Sequence, residues 1–244
     1  MMQGSAFILS FLLMMIESTE KLDTVQAACS AQNREQQYGE VIENVLPNGY
    51  RWPNATVPYL LDGVFDATEL STINDAIDLL STVSCVRFTR RTSEHHYLVI
   101  TNKFGTECWA DTGRQRRGPT YMNLPRRCTK RVGTVLHELL HVLGFLHQHT
   151  RPDRDQYLCV LYGNVRPHPI ALYHYEIVRP WTDQAFPLPY DFASIMHYTP
   201  EMYSVAPGRS PTMVPRHPWS MVAIGHQARL TEYDVLAIQF LYCL

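Results

Sequence analysis

The chain has 244 residues, 45% of them hydrophobic, which is enough to bury a sizeable core in one large domain or two small lobes. Its formal net charge of −2 gives no sign of a nucleic-acid partner. The sequence contains no internal repeat and no low-complexity tract.

The amino-terminal end carries an apolar run at residues 6–16, followed by small polar side chains. This run is too short to span a bilayer and is typical of the core of a signal peptide, although a buried or interfacial segment could have the same composition. We therefore expect a signal peptide over residues 1–19, a secreted, extracellular protein and no membrane anchor. Residues 20–43 are polar and are predicted to form a short pro-segment, which leaves residues 44–244 as the folded domain.

The first half of the folded domain is predicted to contain a sheet and a helix. Residues 57–61 have the composition of a strand, and apolar side chains at spacings of three and four predict an amphipathic helix over residues 68–84. Two β-type runs follow at residues 86–89 and 97–101. A third run, at residues 119–124, begins with a proline, which suits an edge strand.

The second half is predicted to begin and end with a helix. Helical spacing covers residues 130–143, and Gly144 lies where a helix stop belongs. Residues 151–218 are rich in Pro, Tyr and His with weak periodicity, which predicts mostly irregular structure. Helical spacing returns over residues 230–243, with Thr231 as a candidate N-cap.

Six cysteines and one glycosylation sequon fit an oxidising compartment. Asn54 begins the sequon Asn-Ala-Thr and is a candidate glycosylation site, with an unused sequon as the alternative. The cysteines are Cys29, Cys85, Cys108, Cys128, Cys159 and Cys243.

Residues 137–149 read HELLHVLGFLHQH and concentrate four histidines. On a helix, His137 and His141 project from one face, close enough to share one metal ion. Gly144 lets the backbone turn with positive φ, so that His147 can approach the same point from another direction. Three imidazoles with an open fourth position are the pattern of catalytic zinc.

Two further side chains of this segment refine the prediction. Glu138 can face the open coordination position, where it would take a proton from a water molecule activated by the metal. His149 lies two residues past His147 and is predicted to point to the opposite side as a non-ligand. The alternative interpretation is a pair of ordinary helix histidines with a surface acid, because H-E-x-x-H alone arises by chance in unrelated helices.

The segment HELLHVLGFLH resembles the H-E-x-x-H-x-x-G-x-x-H signature of the metzincin zinc proteases. Residues 151–155, RPDRD, and residues 194–198, SIMHY, are similar to the R-x-D-R-D tail and the Met-turn of the astacin family in particular. The resemblance extends over about residues 44–243. It implies an α+β, two-lobed metzincin fold, with a twisted amino-terminal sheet and two long helices, a mostly irregular carboxy-terminal lobe with a closing helix, and one Zn²⁺ in the cleft between them.

The resemblance also implies roles for single residues. Glu138 would be the general base, and Met196 would form the apolar floor beneath the metal. Tyr198 would be an additional zinc ligand that swings away to stabilise the tetrahedral intermediate. The three zinc ligands would be His137, His141 and His147.

The cysteines fit the resemblance only in part. The bridges that it implies are Cys85–Cys243, which would tie the lobes together, and Cys108–Cys128, which would staple a loop. The two remaining cysteines lie outside this framework. An even total permits a third bridge, but the favoured interpretation is that Cys29 leaves with the pro-segment and Cys159 stays as a buried free thiol.

Two other positions depart from the family pattern. The family usually blocks its zinc with a pro-segment aspartate, and here Glu40 is the candidate latency switch, with Cys29 as a thiolate ligand the alternative. Gln148 stands where the family typically has a glutamate that holds the mature amino terminus through water. Glutamine cannot supply a negative charge to a buried ammonium, so we expect the mature terminus to be less deeply anchored.

The function implied by the resemblance is that of a secreted zinc-dependent endopeptidase acting on protein or peptide substrates as a monomer. We expect an extended peptide to bind along the edge strand near residues 119–124. Basic residues crowd positions 114–131 with few acids nearby, which predicts a preference for acidic residues near the scissile bond, the alternative being a merely solvated loop. The competing hypothesis is a catalytically weak or inactive secreted binding protein that keeps the fold.

Overall fold

The computed structural model describes residues 29, 45–178, 188–216, 224–225 and 228–244. The predicted signal peptide, Glu40 and all of the predicted pro-segment except Cys29 lie outside these residues. In the described part of the chain, every helix is too short or too polar to traverse a bilayer.

A five-stranded sheet forms the first lobe, with β2, β1, β3 and β5 mutually parallel and β4 antiparallel to β5. The strand order is β2-β1-β3-β5-β4. The strands are β1 (Thr56–Asp62), β2 (Arg87–Arg90), β3 (Leu98–Thr101), β4 (Trp109–Ala110) and β5 (Thr120–Asn123). All four residues of β3 are buried, as expected for a central parallel strand.

The prediction that residues 119–124 form an edge strand is wrong. β5 lies between β3 and β4 in the sheet. Pro119 precedes the strand and does not occupy it, so its missing N–H removes no hydrogen bond from the ladder. The two-residue β4, which is too short for a period-2 pattern to reveal, is the strand at this edge of the described sheet.

Two long helices pack against each other and against the sheet: α1 (Ala67–Val83) and α2 (Val132–Val142). At the start of α1, the Asp66 carboxylate accepts from Glu69 N at 2.9 Å, and the Glu69 carboxylate accepts from Asp66 N at 2.8 Å, which forms a capping box. α2 is buried at every residue from Val135 to Val142, because it lies in the middle of the core. Truncating a fully buried leucine of this helix to alanine would cost roughly 2–5 kcal/mol.

The second lobe is mostly irregular. It contains the short helix α3 (Pro169–Tyr173), the antiparallel pair β6 (Leu158–Val160) and β7 (Met213–Pro215), and the closing helix α4 (Glu232–Tyr242). Thr231 caps α4 as predicted, since its hydroxyl accepts from Asp234 N while the Asp234 carboxylate accepts from Thr231 N. The molecule is therefore a mixed α+β structure with the two long helices and the closing helix that the resemblance implies.

Three disulfides cross-link the described residues. Cys85 pairs with Cys243 at a Cα–Cα distance of 5.6 Å, and Cys108 pairs with Cys128 at 5.8 Å, which are the pairings implied by the resemblance. The third bridge joins Cys29 to Cys159 at 5.3 Å.

The interpretation of Cys159 as a buried free thiol is therefore wrong. So is the alternative of Cys29 as a thiolate ligand, because its sulfur is committed to the bridge. The described residues include no free cysteine. The apolar neighbours of Cys159 correctly indicated that it is buried, but they could not show which part of the chain lies beside it.

Candidate metal centre

The end of α2 brings three histidines together. His137 and His141 stand one turn apart on α2, with ring centroids 4.7 Å apart. Gly144 has φ 103°, a conformation that a residue with a side chain rarely adopts, and there the chain turns out of the helix. His147 then returns with its Nε2 atom 3.2 Å from Nε2 of His141 and 3.3 Å from Nε2 of His137.

Backbone carbonyls fix the tautomers of two of these rings. His137 Nδ1 donates to Ile195 O at 2.7 Å, and His141 Nδ1 donates to Phe145 O at 2.8 Å. Because a carbonyl oxygen only accepts, the ring proton lies on Nδ1 and the Nε2 lone pairs face the common point. This is the arrangement that orients histidines on a metal ion.

The three rings are neutral at pH 7. Burial lowers the pKa of His137, and burial followed by the neighbouring His137 lowers the pKa of His141 to about 3. Burial and the other histidines lower the pKa of His147 well below its usual range. Three uncharged imidazoles with converging lone pairs can hold a divalent cation. Without a cation these lone pairs would face one another, which is unfavourable.

Glu138 lies in the same turn of α2. It is buried, and its Oε2 atom has no hydrogen-bond partner among the described residues. Burial raises the pKa of this carboxyl to about 8. A buried acid without a partner is costly, and such groups cluster at reactive sites.

The segment around Met196 lies against the histidines and is held by α4. Met196 is buried in the main core, and its carbonyl accepts from Gln148 N at 2.9 Å. The buried Asp234 carboxylate accepts from Ser194 Oγ at 2.6 Å and from Ile195 N at 3.0 Å. The closing helix thereby fixes Ile195, whose carbonyl orients His137, a role for Asp234 that its place in the capping box of α4 did not suggest.

Tyr198 packs directly beside the cluster. Its ring centroid lies 4.4 Å from that of His147 and 4.1 Å from that of His149, on which it stacks. Its hydroxyl lies 3.3 Å from His174 Nδ1. Burial raises the pKa of Tyr198 far above its usual range, so the hydroxyl keeps its proton and can donate a hydrogen bond.

His149 takes no part in the group of convergent nitrogens, which contains His137, His141 and His147. Its Nε2 donates to His174 O at 2.9 Å. This agrees with the prediction that His149 is not a metal ligand. Sequence reasoning did not single out His174, although it contacts both His149 and Tyr198; it lies in a stretch without periodicity, which gave no signal.

Gln148 is buried next to His147 and lines a small pocket together with Asp191 and Asp234. With its amide oriented to satisfy its neighbours, its oxygen accepts from Asp191 N at 3.2 Å and from Arg151 Nη1 at 3.3 Å. These two hydrogen bonds hold the Gln148 side chain in place.

Val45 pairs with Phe145 in a β-bridge, so the start of the described domain lies close to the histidine cluster.

The basic residues of positions 114–131 divide into two groups. Arg114 donates to the carbonyls of Gly49 and Arg51, which makes it a structural anchor. Arg126 pairs with Asp66 at 3.3 Å and Arg127 pairs with Glu107, so the expectation of few nearby acids is wrong for these two. The remaining exposed cations are Arg116, Arg117, Lys130 and Arg131.

Curated relatives match most of this chain. The model of a peptidase family described as Astacin matches residues 45–243. An astacin-like metalloendopeptidase of Gallus gallus is 32% identical over 196 residues, which are 78% of this chain and 46% of that protein. Bone morphogenetic protein 1 of Xenopus laevis is 33% identical over 193 residues, 78% of this chain and 27% of that protein. The chain therefore spans less than half the length of these relatives.

Solved structures match as well. High choriolytic enzyme 1, a hatching enzyme zinc-protease from Oryzias latipes, superposes with a TM-score of 0.68 at 30% identity, covering 79% of this chain and 92% of that one. Myroilysin shares the fold with a TM-score of 0.54 at 18% identity, covering 84% of this chain and 99% of that one. Since the family model spans nearly all of the chain from Val45 onward, this chain belongs to the astacin family of peptidases.

Proposed function

We propose that this protein is a secreted zinc endopeptidase that hydrolyses peptide bonds within protein substrates. The observation that carries the proposal is the convergence of three neutral imidazole Nε2 atoms, together with the buried Glu138, whose Oε2 atom has no partner among the described residues. An ordinary core would not turn three ring nitrogens toward one point beside a carboxyl oxygen that lacks a partner among the described residues, because a single unpaired buried group already costs about 1–3 kcal/mol.

The metal would be held by His137, His141 and His147. When bound, Zn²⁺ supplies a Lewis acid that lowers the pKa of a water molecule and polarises the carbonyl of the scissile bond. Ile195 O and Phe145 O keep two of the rings in the tautomer that a cation requires. Met196 would form the apolar floor beneath the metal, which its burial in the main core and the hydrogen bond from Gln148 N to its carbonyl support.

Glu138 would act as the general base. A divalent cation held by the three histidines would favour the ionised form of this carboxyl, which would then take a proton from the attacking water and give it to the nitrogen of the leaving amine. The apolar surroundings that raise the pKa of this carboxyl also favour its return to the protonated form between these two transfers. A general base in this position contributes on the order of 10²–10⁴ in rate.

Tyr198 would stabilise the charge that develops during the attack. Its neutral hydroxyl can donate a hydrogen bond to the carbonyl oxygen as that oxygen becomes negative. Stacking on His149 fixes the plane of the ring, while His174 accepts the hydroxyl in the resting arrangement.

The substrate would bind as an extended strand along β4. Asp111 N donates to Tyr121 O, so in this antiparallel ladder the N–H and C=O of Ala110 point away from β5. These two groups are available to pair with a peptide in the cleft. The exposed Arg116 and Arg117 lie in the turn between β4 and β5 and favour acidic residues near the scissile bond.

Latency would depend on Glu40 in the pro-segment. Val45 is held beside Phe145, two residues before His147. Five residues of extended chain span at most about 18 Å, which is enough for Glu40 to reach the three histidines from that point. The carboxylate would then occupy the open metal position until the segment from residue 20 to residue 43 is cut from the domain 44–244.

The secretory part of the proposal has further support. Residues 1–19 would be removed as a signal peptide, and the three disulfides require an oxidising compartment. Asn54 is exposed, so its side chain is accessible for glycosylation. We further propose that the protein acts as a monomer without a nucleic-acid partner.

The test is casein hydrolysis by the secreted, processed protein, with and without a metal chelator. We expect hydrolysis that the chelator abolishes and that added Zn²⁺ restores. The competing hypothesis of an inactive binding protein with the same fold predicts zinc binding without hydrolysis. A zinc-loaded, correctly folded protein that cleaves neither casein nor any member of a peptide library would overturn the proposal.

A further inference from the structure

The bridge between Cys29 and Cys159 joins the expected pro-segment to the second lobe. Cys159 is fully buried in β6, opposite Val214 of β7. Cys29 is 130 residues earlier in the sequence and half-buried, with its Cα atom 5.3 Å from that of Cys159. The distance is ordinary for a disulfide, so no backbone movement is needed to form it.

A second contact seats residue 29 on the same surface. Arg216 follows β7, and its Nη1 atom donates to Cys29 O at 3.0 Å. The same guanidinium donates through Nε to Asp155 O, and Arg216 N donates to Tyr157 O at 2.9 Å. The carbonyl of Cys29 is therefore bound by Arg216, a residue that is itself held by two other hydrogen bonds. Residue 29 is thus fixed on the second lobe by a hydrogen bond as well as by the disulfide.

Cys29 lies in the sequence between the expected signal peptide, which ends at residue 19, and the expected processing site near residue 43. The domain begins at about residue 44, and Val45 is held in place by its bridge to Phe145 and by the hydrogen bond from Leu46 N to Gly144 O at 2.9 Å. A single cut near residue 43 would therefore give a small chain that contains Cys29 and a large chain that contains the folded domain. The bridge to Cys159 would hold the small chain on the large one.

We infer that a cut near residue 43 does not release the expected pro-segment: the cut protein is a two-chain molecule in which the small chain stays covalently bound to the second lobe through Cys29–Cys159. The position of the cut rests on the proposed function, whereas the link does not. Release of the small chain then requires a second event, either reduction of the bridge or a further cut between Cys29 and residue 43.

The experiment begins with the full-length chain, modified only by a protease recognition sequence inserted after Glu43. After a single cut, intact mass is measured before and after treatment with a dithiol reductant, which is oxidised to its own disulfide as Cys29 and Cys159 become thiols. We expect one species with the combined mass before reduction and two species afterwards. A species with the mass of the large chain alone before reduction would overturn the inference.

The matched control is the double variant Cys29→Ser/Cys159→Val, which leaves no odd thiol and fills the buried position in β6 with a side chain that suits a strand. After the same cut it should lose the small chain without any reductant. The single variant Cys29→Ser gives a second comparison if the double variant folds poorly. A small chain that stays covalently attached in either variant would overturn the inference, because Cys29–Cys159 would then not be the link.

These readouts separate the inference from the proposed function. Retention is read from mass, which needs no catalysis. If the small chain is retained but the zinc-loaded protein hydrolyses no substrate, the proposed function alone fails. If the small chain is lost while the protein hydrolyses casein, the inference alone fails.

Discussion

At the scale of single residues, the hydrogen bonds behind the histidines are as informative as the histidines themselves. Asp234 lies on α4, far from α2 in sequence, yet it binds Ser194 Oγ and Ile195 N and so sets the carbonyl that orients His137. The H-E-x-x-H spacing and the turn at Gly144 predicted the three histidines and Glu138. They could not predict Asp234 or His174, because their roles depend on contacts between segments that no local period encodes.

Replacing Tyr198 with phenylalanine tests its role in charge stabilisation. The ring contacts with His147 and His149 remain, whereas the hydroxyl is lost. We expect kcat to fall by roughly 10²-fold with little change in KM, because the hydrogen bond is used only in the transition state. The matched control is Tyr190→Phe, which removes a buried hydroxyl that pairs with His197 at 2.9 Å. This control should lower the melting temperature and leave kcat nearly unchanged; the opposite pattern would contradict the assignment.

His197 predicts a pH dependence of stability. Its Nδ1 donates to Tyr198 O at 2.7 Å, and burial lowers its pKa to about 4. The unfolded chain has a histidine pKa of about 6.5 and so binds the proton first as the pH falls. The stability contributed by the neutral ring is therefore complete above about pH 6.5 and is lost between about pH 6.5 and pH 4, by up to about 3 kcal/mol.

Urea unfolding between pH 7 and pH 4.5 would measure this loss. The variant His197→Asn keeps a donor near Tyr198 O but cannot titrate, so its free energy of unfolding should fall less steeply with decreasing pH. The exposed His95→Asn variant is the control and should follow the parent. Parallel curves for the parent and His197→Asn would show that another group is responsible.

At the scale of elements, the helices were predictable and the order of the strands was not. Spacings of three and four predicted α1 and α4 to within about two residues, and Thr231 was predicted as the cap of α4. The pattern of residues 119–124 showed a strand but gave it the wrong position, because a preceding proline is compatible with both an edge and an interior strand. The true edge strand has two residues, which is too few for alternation to be visible.

The position of β4 gives a prediction about substrate binding. Ala110→Pro removes an N–H that faces away from β5, so the sheet keeps its hydrogen bonds. We expect KM for an extended peptide to rise roughly 5–10-fold, as the loss of one hydrogen bond would produce, with the melting temperature nearly unchanged. Ala110→Ser retains the N–H and should behave like the parent. An unaltered KM in the proline variant would exclude β4 as the binding edge.

The exposed cations beside β4 predict a salt-sensitive preference. The double variant Arg116→Gln/Arg117→Gln should lose most of the preference for peptides with acidic residues over neutral ones. The preference of the parent should weaken as ionic strength rises from about 0.01 to about 0.5 M, because exposed charges are screened. Arg209→Gln, an exposed charge on the second lobe, is the control. Equal cleavage of acidic and neutral peptides by the parent at low salt would exclude this preference.

At the scale of the whole molecule, covalent links connect segments that are distant in sequence. Cys85–Cys243 joins the end of α1 to the end of α4 across 158 residues, and Cys29–Cys159 joins the expected pro-segment to the second lobe. Resemblance to a family could imply the first bridge, because the family shares it. The second bridge depends on two cysteines outside that framework, and a count of six thiols did not reveal that they are neighbours.

The most direct measurement of the central claim compares Glu138→Gln with the parent protein in two assays, zinc content and the rate of casein hydrolysis. Glu138 is not a ligand, so the variant should bind one zinc ion per chain and melt within a few degrees of the parent. Its rate should fall on the order of 10²–10⁴-fold, because a glutamine of the same shape cannot accept the proton of the attacking water. Near-parental turnover by the zinc-loaded variant would contradict the account, since the buried carboxylate in the turn of α2 would then have no part in the chemistry.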